Sequence, residues 1–244
     1  MRAYLVHQGA LYHSECDGRT SHRTAVTRLI RGIWKEHPGQ ALNLLRNRIF
    51  TDSPLSPACE GMIKVAAKRF EVLSPKDWDE RFSGFEGSVK PLAHSVPGAE
   101  GHTFDVRPAS TSDLLAHLRL RSAGVPAVSA VLLDPRGRAL LGSWNLTSVD
   151  RTAHAEVNLV EAWFAKHQTT VPCGSTLHVS LRPCAMCAAQ ILALAGNPKA
   201  LRVVFHQEDP GPASKNSCLV PGTDLWMKAG SPGWQAWLAD SQEE

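Results

Sequence analysis

Two short stretches of this 244-residue chain combine side chains that do chemistry only as a group. In "TAHAEVNLVEAW", His154 and Glu156 occupy what reads as the opening turn of a helix. In "LRPCAMCAAQ", Cys184 and Cys187 follow Pro183. Cysteines three apart face one side of a helix's first turn, where the positive end of the helix dipole favours thiolates. Pro183 suits that helix entry because it has no amide hydrogen to satisfy. Two thiolates and one imidazole supply three ligands of a tetrahedral zinc ion and leave the fourth position open, the pattern of a catalytic rather than a closed structural site. The open position suits a water, whose pKa zinc can lower from about 15.7 to about 7. Glu156 is too close in sequence to His154 to be a comfortable second ligand, and is better placed to move a proton from that water to a leaving amine. Such parts suit hydrolytic removal of an exocyclic amine from a nucleobase.

Each half alone is a weak signal. The cysteines also fit reduced core thiols, and Glu156 a carboxylate favouring a helix's positive end. What distinguishes them is their joint occurrence, each pair at a helix start, with a strand between.

The elements that must position these residues follow from local pattern. After residue 110, "SDLLAHLRLR" reads as a short helix and "AVSAVLLDPRGRALLGSWN" as two strands around a turn at 134–137 with Pro at its second position. A helix at 153–167, the strand "STLHVSL", a helix at 184–195 and the strand "ALRVVF" come next. Strands alternating with helices predict a layered α/β domain with parallel crossovers. Upstream, "RAYLVHQGALYH" predicts a hairpin around Gln8-Gly9, and Ser21 is expected to cap a helix ending before Pro38. Further helices are expected at 40–48, 57–70 and 75–82. Residues 83–110, rich in Gly, Pro and Ser, read as a linker. The expected division is a smaller α+β amino-terminal domain over 1–100 and the zinc-site domain over 101–244. In the tail, "GWQAWLAD" reads as a last short helix.

Composition narrows the setting. A 43% hydrophobic content supports a real core, and no run of 18 apolar residues occurs. Six cysteines are too sparse for a disulfide scaffold, so a soluble, cytoplasmic protein without membrane contact is expected. The net charge of +3 is uneven: residues 1–70 carry +6 and the remainder −3. Arg28, Arg31 and Lys35 share one side of the first predicted helix and could grip a polyanion.

The arrangement H-A-E, then P-C-x-x-C, resembles the signature of the zinc nucleobase deaminases. The chain is similar to the cytidine and deoxycytidylate deaminase superfamily, and most to its bacterial tRNA adenosine deaminase branch. "GSWN", "TAHAE", "TLHVSLRPCAMCA" and "LRVVFHQED" carry this resemblance, over roughly residues 113–210. It implies a cytidine deaminase-like three-layer α/β/α sandwich, Zn2+ held by His154, Cys184 and Cys187, and Glu156 as the proton shuttle. It further implies that Asn145 and the Ala155 amide hold the target base, that Trp144 lines the pocket, and that Asp150 and Arg151 lie where a nucleotide backbone passes. A homodimer is also implied. Two departures stand out: Arg182 replaces the Glu usual before the Pro-Cys pair, and the chain ends in "WLADSQEE" instead of a basic helix. Three readings remain open at this point: a deaminase of adenosine in RNA such as tRNA, a deaminase of a free base, nucleoside or nucleotide, and a non-catalytic zinc-binding subunit.

Overall fold

The hairpin forms as expected: β1 (Arg2–His7) pairs antiparallel with β2 (Ala10–Glu15), with Gln8 and Gly9 both at positive φ, 50° and 75°. Two central residues with positive φ match the right-handed twist of the strands they join. The structure, a computed structural model, describes residues 1–16, 24–82, 85, 89–91, 111–120, 127–211 and 226–231. The expected Ser21 cap, most of the 83–110 linker and the "GWQAWLAD" helix lie outside these residues. The chain divides into two units, Met1–Gly98 with Val149–Thr152, and Ala99–Ser148 with Ala153–Glu244.

In the first unit α1 (Ala25–Glu36) is capped by Thr24, whose hydroxyl accepts from the Thr27 N–H at 3.2 Å. The short α2 (Ala41–Leu44) follows, then β3 (Ile49–Thr51) and α3 (Pro57–Ala66). The helix expected to reach residue 70 stops at Ala66, because Lys68 turns to a φ of 76° and sends the chain into β4 (Phe70–Val72). α4 (Pro75–Phe82) and β5 (Val89–Pro91) complete a five-stranded sheet in the order β4-β3-β1-β2-β5. An aromatic group of Tyr4, Trp78 and Phe82 packs α4 on this sheet, with the Arg2 guanidinium 4.7 Å from the Trp78 ring centre. Arg31, one of the expected polyanion contacts, is buried, and Arg28 donates to the Glu15 carbonyl at 3.1 Å. Two of the three cations on α1 therefore serve the first unit's own packing.

The second unit contains α5 (Thr111–Arg119), β6 (Ser129–Leu133), β7 (Ala139–Trp144), α6 (Ala155–His167), β8 (Ser175–Leu181), α7 (Ala185–Ala195), β9 (Leu201–Gln207) and β10 (Trp226–Lys228). Its sheet runs β10-β9-β8-β6-β7, with the β8-β9-β10 half parallel and both pairings of β6 antiparallel. Alternate strand residues divide between the faces. Ala130, Leu132, Leu177, Val179, Val203 and Phe205 pack with α6 and α7, whereas Val131, Leu133 and Ala139 pack with Leu115 and Leu118 of α5. The result is the expected three-layer α/β/α arrangement. Trp226, in the Trp-rich tail, is fully buried in the α6–α7 core.

One topological fact sets up the site. Because β6 is antiparallel to both β7 and β8, those two strands run in the same direction and end at the same edge of the sheet. α6 follows β7 and α7 follows β8, so both helices begin at that edge, on the same face.

Candidate metal and catalytic site

At that shared edge His154 is the N-cap of α6 and Cys184 the N-cap of α7. Both have the extended backbone of an ordinary cap, φ −69° and ψ 153° for His154, φ −72° and ψ 172° for Cys184, yet neither side chain makes a cap hydrogen bond. They turn toward each other. His154 Nδ1 lies 3.8 Å from Cys184 Sγ and 3.4 Å from Cys187 Sγ, and the two sulfurs are 3.5 Å apart. Zinc bonds of about 2.3 Å to sulfur and about 2.0–2.1 Å to nitrogen, at tetrahedral angles, separate ligand atoms by roughly 3.5–3.8 Å. The triangle therefore fits a zinc ion in size as well as in donor chemistry. Among the described residues, these three are the group of metal-ligating side chains close enough to hold an ion.

The electrostatics agree. The positive ends of two helices converge on the site, and the two thiols split: the Cys184 thiol is held well below its usual range by the Cys187 thiol and by His154, against the effect of burial, while burial and the neighbouring Cys184 push the Cys187 thiol well above it. Glu156, in the first turn of α6, is buried, and its Oε2 meets no hydrogen-bond partner among the described residues. Burial pushes its carboxyl up to about 7, with the His154 imidazole opposing and Cys184 adding to the rise. A carboxyl poised near neutrality can both take and give a proton at physiological pH. A buried carboxylate oxygen without a partner is a costly arrangement for stability alone.

The remaining expected residues divide. Ala155 is the fully buried first residue of α6, where helix geometry supplies no intrahelical acceptor for its amide. Asn145 is buried at the end of β7; its Oδ1 accepts from the Val128 N–H at 2.8 Å, and its own N–H donates to the Val128 carbonyl at 3.0 Å. Arg151 is exposed in the loop before α6, and Asp150 is buried there, accepting from the Thr152 N–H and hydroxyl, both at 2.7 Å. Trp144 is not brought to the metal ligands: its ring packs with the Leu115 and Leu118 cluster, on the sheet face opposite α6 and α7. Arg182, the departure before Pro183, donates its backbone N–H to the Gln207 carbonyl at 2.8 Å and its Nη1 to Glu208 at 3.3 Å, tying the ends of β8 and β9 together.

Sequence reasoning passed over Asn158. It is buried one turn into α6, and its Nδ2 donates to the Trp144 carbonyl at 2.9 Å and the Ala153 carbonyl at 3.2 Å. An amide placed among apolar residues four positions after a metal ligand was the available signal.

Residues 122–222 match the family model described as "Bd3614-like deaminase". Over these residues, under half of the chain, it is similar to the cytidine deaminase superfamily, in its tRNA adenosine deaminase-like branch. Within that superfamily the chain is similar to the tRNA-specific adenosine deaminase of Haemophilus influenzae, 36% identical over 93 residues, which are 37% of this chain and 51% of that protein. It is also similar to the tRNA-specific adenosine deaminase of Agrobacterium fabrum, 42% identical over 101 residues, 39% of this chain and 63% of that protein. The chain thus spans about half the length of the first relative and under two-thirds of the second. A solved structure of a tRNA:A34 deaminase is 34% identical at a TM-score of 0.34, covering 44% of this chain and 85% of its own. A guanine deaminase from Nitrosomonas europaea is 18% identical at a TM-score of 0.40, covering 62% of this chain and 94% of its own. The cytidine deaminase superfamily is normally zinc-dependent, and the His154, Cys184 and Cys187 group is the possible metal site here.

Proposed function

We propose that the protein is a zinc-dependent hydrolytic deaminase acting on adenosine in RNA, with a tRNA-like substrate. The observation that carries the reading is the buried Oε2 of Glu156, without a partner among the described residues, beside the His154, Cys184 and Cys187 triangle. The tRNA-specific adenosine deaminases among its relatives support the substrate.

His154, Cys184 and Cys187 would hold zinc, which when bound supplies a Lewis acid that makes water nucleophilic near neutral pH. The chain's own residues do the rest. Glu156 takes a proton from the attacking water as a C–O bond forms at the amine-bearing carbon of the base. It returns that proton to the ring nitrogen, then takes the remaining proton from the new hydroxyl and passes it to the amine; the C–N bond breaks, the carbonyl forms and ammonia leaves, so that amine plus water gives carbonyl plus ammonia. Asn145, its oxygen committed to Val128, would turn its amide hydrogens toward an acceptor on the base. The Ala155 amide would meet the base from the helix start. A target adenosine has to be unstacked, because a paired base cannot enter a site buried between two helices. Thiolates that must stay reduced suit a reducing compartment such as the cytoplasm.

The test is incubation of the zinc-loaded protein with a set of tRNA transcripts and, separately, with free bases, nucleosides and nucleotides, followed by mass spectrometry of nucleosides and an ammonia assay. Inosine in RNA, absent with Glu156→Ala, is expected. Ammonia from free substrates alone would replace the RNA reading with a small-molecule deaminase, and no product from any substrate would leave a non-catalytic zinc protein.

A further inference from the structure

The two carbonyls that Asn158 holds belong to the residues immediately before Asn145 and His154. A carbonyl fixed in space fixes the plane of its whole peptide. One carboxamide therefore sets both the peptide that leads into the metal-ligating imidazole and the peptide that leads into the proposed base contact. Four further bonds hold the same region. Leu146 N–H donates to the Ala153 carbonyl at 2.8 Å, Asn145 is paired to Val128, and the Asn158 N–H donates to the His154 carbonyl at 2.9 Å. His154 is thus bracketed by Asn158 on both sides.

We propose that Asn158 is a positioning residue that clips the two ends of the 145–153 loop together and so fixes the separation between Asn145 and His154. Its effect on Asn145 rests on the deaminase reading, whereas its effect on His154 is a matter of metal geometry alone. An isosteric Asp at this position would keep the shape but present oxygens to two carbonyls, opening the loop at both ends. A purely structural role would lower stability without altering how the imidazole meets a metal.

The experiment compares the wild type with Asn158→Ala, Asn158→Asp and Leu159→Ala, the last a fully buried apolar core position beside Asn158 in α6. Zinc affinity is read by competition with a colorimetric chelator, and ligand geometry by the visible absorption of the cobalt(II)-substituted protein. Outer-sphere partners of a ligating histidine typically alter metal affinity about 10–100-fold. The Asn158 variants are expected to bind zinc at least about tenfold more weakly and to shift or broaden the cobalt band, with Asp the worse, whereas Leu159→Ala keeps wild-type affinity and spectrum. Folded Asn158 variants with wild-type affinity and an unchanged cobalt band would overturn the proposal. If Asn158→Ala fails to fold, Asn158→Ser, which retains one donor, takes its place under the same two outcomes. A wild type that takes up no cobalt would remove the metal centre and the functional reading together; a wild type that binds it while the variants match removes only the role of Asn158.

Discussion

Four helices of this molecule begin with nearly the same backbone turn and use it for opposite ends. In the first unit, α1 and α3 start from Thr24 and Ser56, at φ −72° and ψ 165° and at φ −75° and ψ 160°, and each side chain accepts an amide hydrogen from the first turn. In the second unit, α6 and α7 start from His154 and Cys184 with the same extended geometry and no cap bond. The difference teaches that the cap position is a place to aim a side chain. A hydroxyl aimed back at the helix stabilises it by about 1 kcal/mol, while an imidazole or thiolate aimed outward forgoes that gain and leaves the orphan amides and the helix dipole to the site.

The largest effect should come from exchanging these roles. His154→Ser gives α6 an ordinary cap and removes a ligand: metal uptake and deamination should be lost. At the same time the metal-free variant should melt no lower than the metal-free wild type, by calorimetry on chelator-treated protein. A clearly lower melting temperature for that variant would show that His154 contributes stability the cap comparison misses. Next, Glu156→Gln should reduce turnover by about 10²–10⁴-fold while zinc content by elemental analysis stays at wild-type level. Retained turnover would detach the carboxyl from the chemistry.

At the far end of α7, Gly196 takes a φ of 66°, and an added Cβ would sit 2.5 Å from Thr170 Cγ2. Gly196→Ala should therefore cost about 1–3 kcal/mol in chemical denaturation, so that the stop of this helix matters more to stability than its start. Ser56→Ala should cost about 1 kcal/mol and leave zinc affinity untouched.

The smallest effect concerns one turn carboxylate in each unit. Asp52 and Asp134 are both held below the usual carboxylate range, burial working against them but hydrogen bonds from Arg2 and from Arg138 and Arg136 outweighing it. A depressed folded-state value means that each contributes stability above its unfolded pKa near 3.8 and loses it as pH falls through the lower folded value. Asp52→Asn and Asp134→Asn should each lower stability at pH 7 and flatten its decline under acid, as urea titrations across pH 2–6 would show.

The long elements were legible in the sequence, in the second unit above all but also in the hairpin and the 75–82 helix of the first, whereas the short strands of both units were not, for physical reasons. β8, β9, α6 and α7 are seven to thirteen residues long, enough for a period to register, and the ligand spacing is fixed by helix geometry. β3, β4, β5 and β10 are three residues each, too short for alternation to mean anything. The turn that ends α3 early rests on Lys68 in a left-handed conformation that no Gly announces. Arg31 was misplaced because residue type suggested exposure to a polyanion where tertiary packing claimed it. Asn158 escaped notice because its partners are backbone carbonyls, which no side-chain pattern reveals.

The shared direction of β7 and β8 has a practical corollary. Whatever precedes those strands lies at the opposite edge, and there the 134–137 turn and Gly174 are neighbours, so that a Cβ added at Gly174 would sit 3.4 Å from Pro135 Cβ. That edge holds none of the ligands. A fluorophore, an affinity tag or new chain termini placed in the turn at Arg136-Gly137 should report on or immobilise the protein while leaving its reactive rim intact.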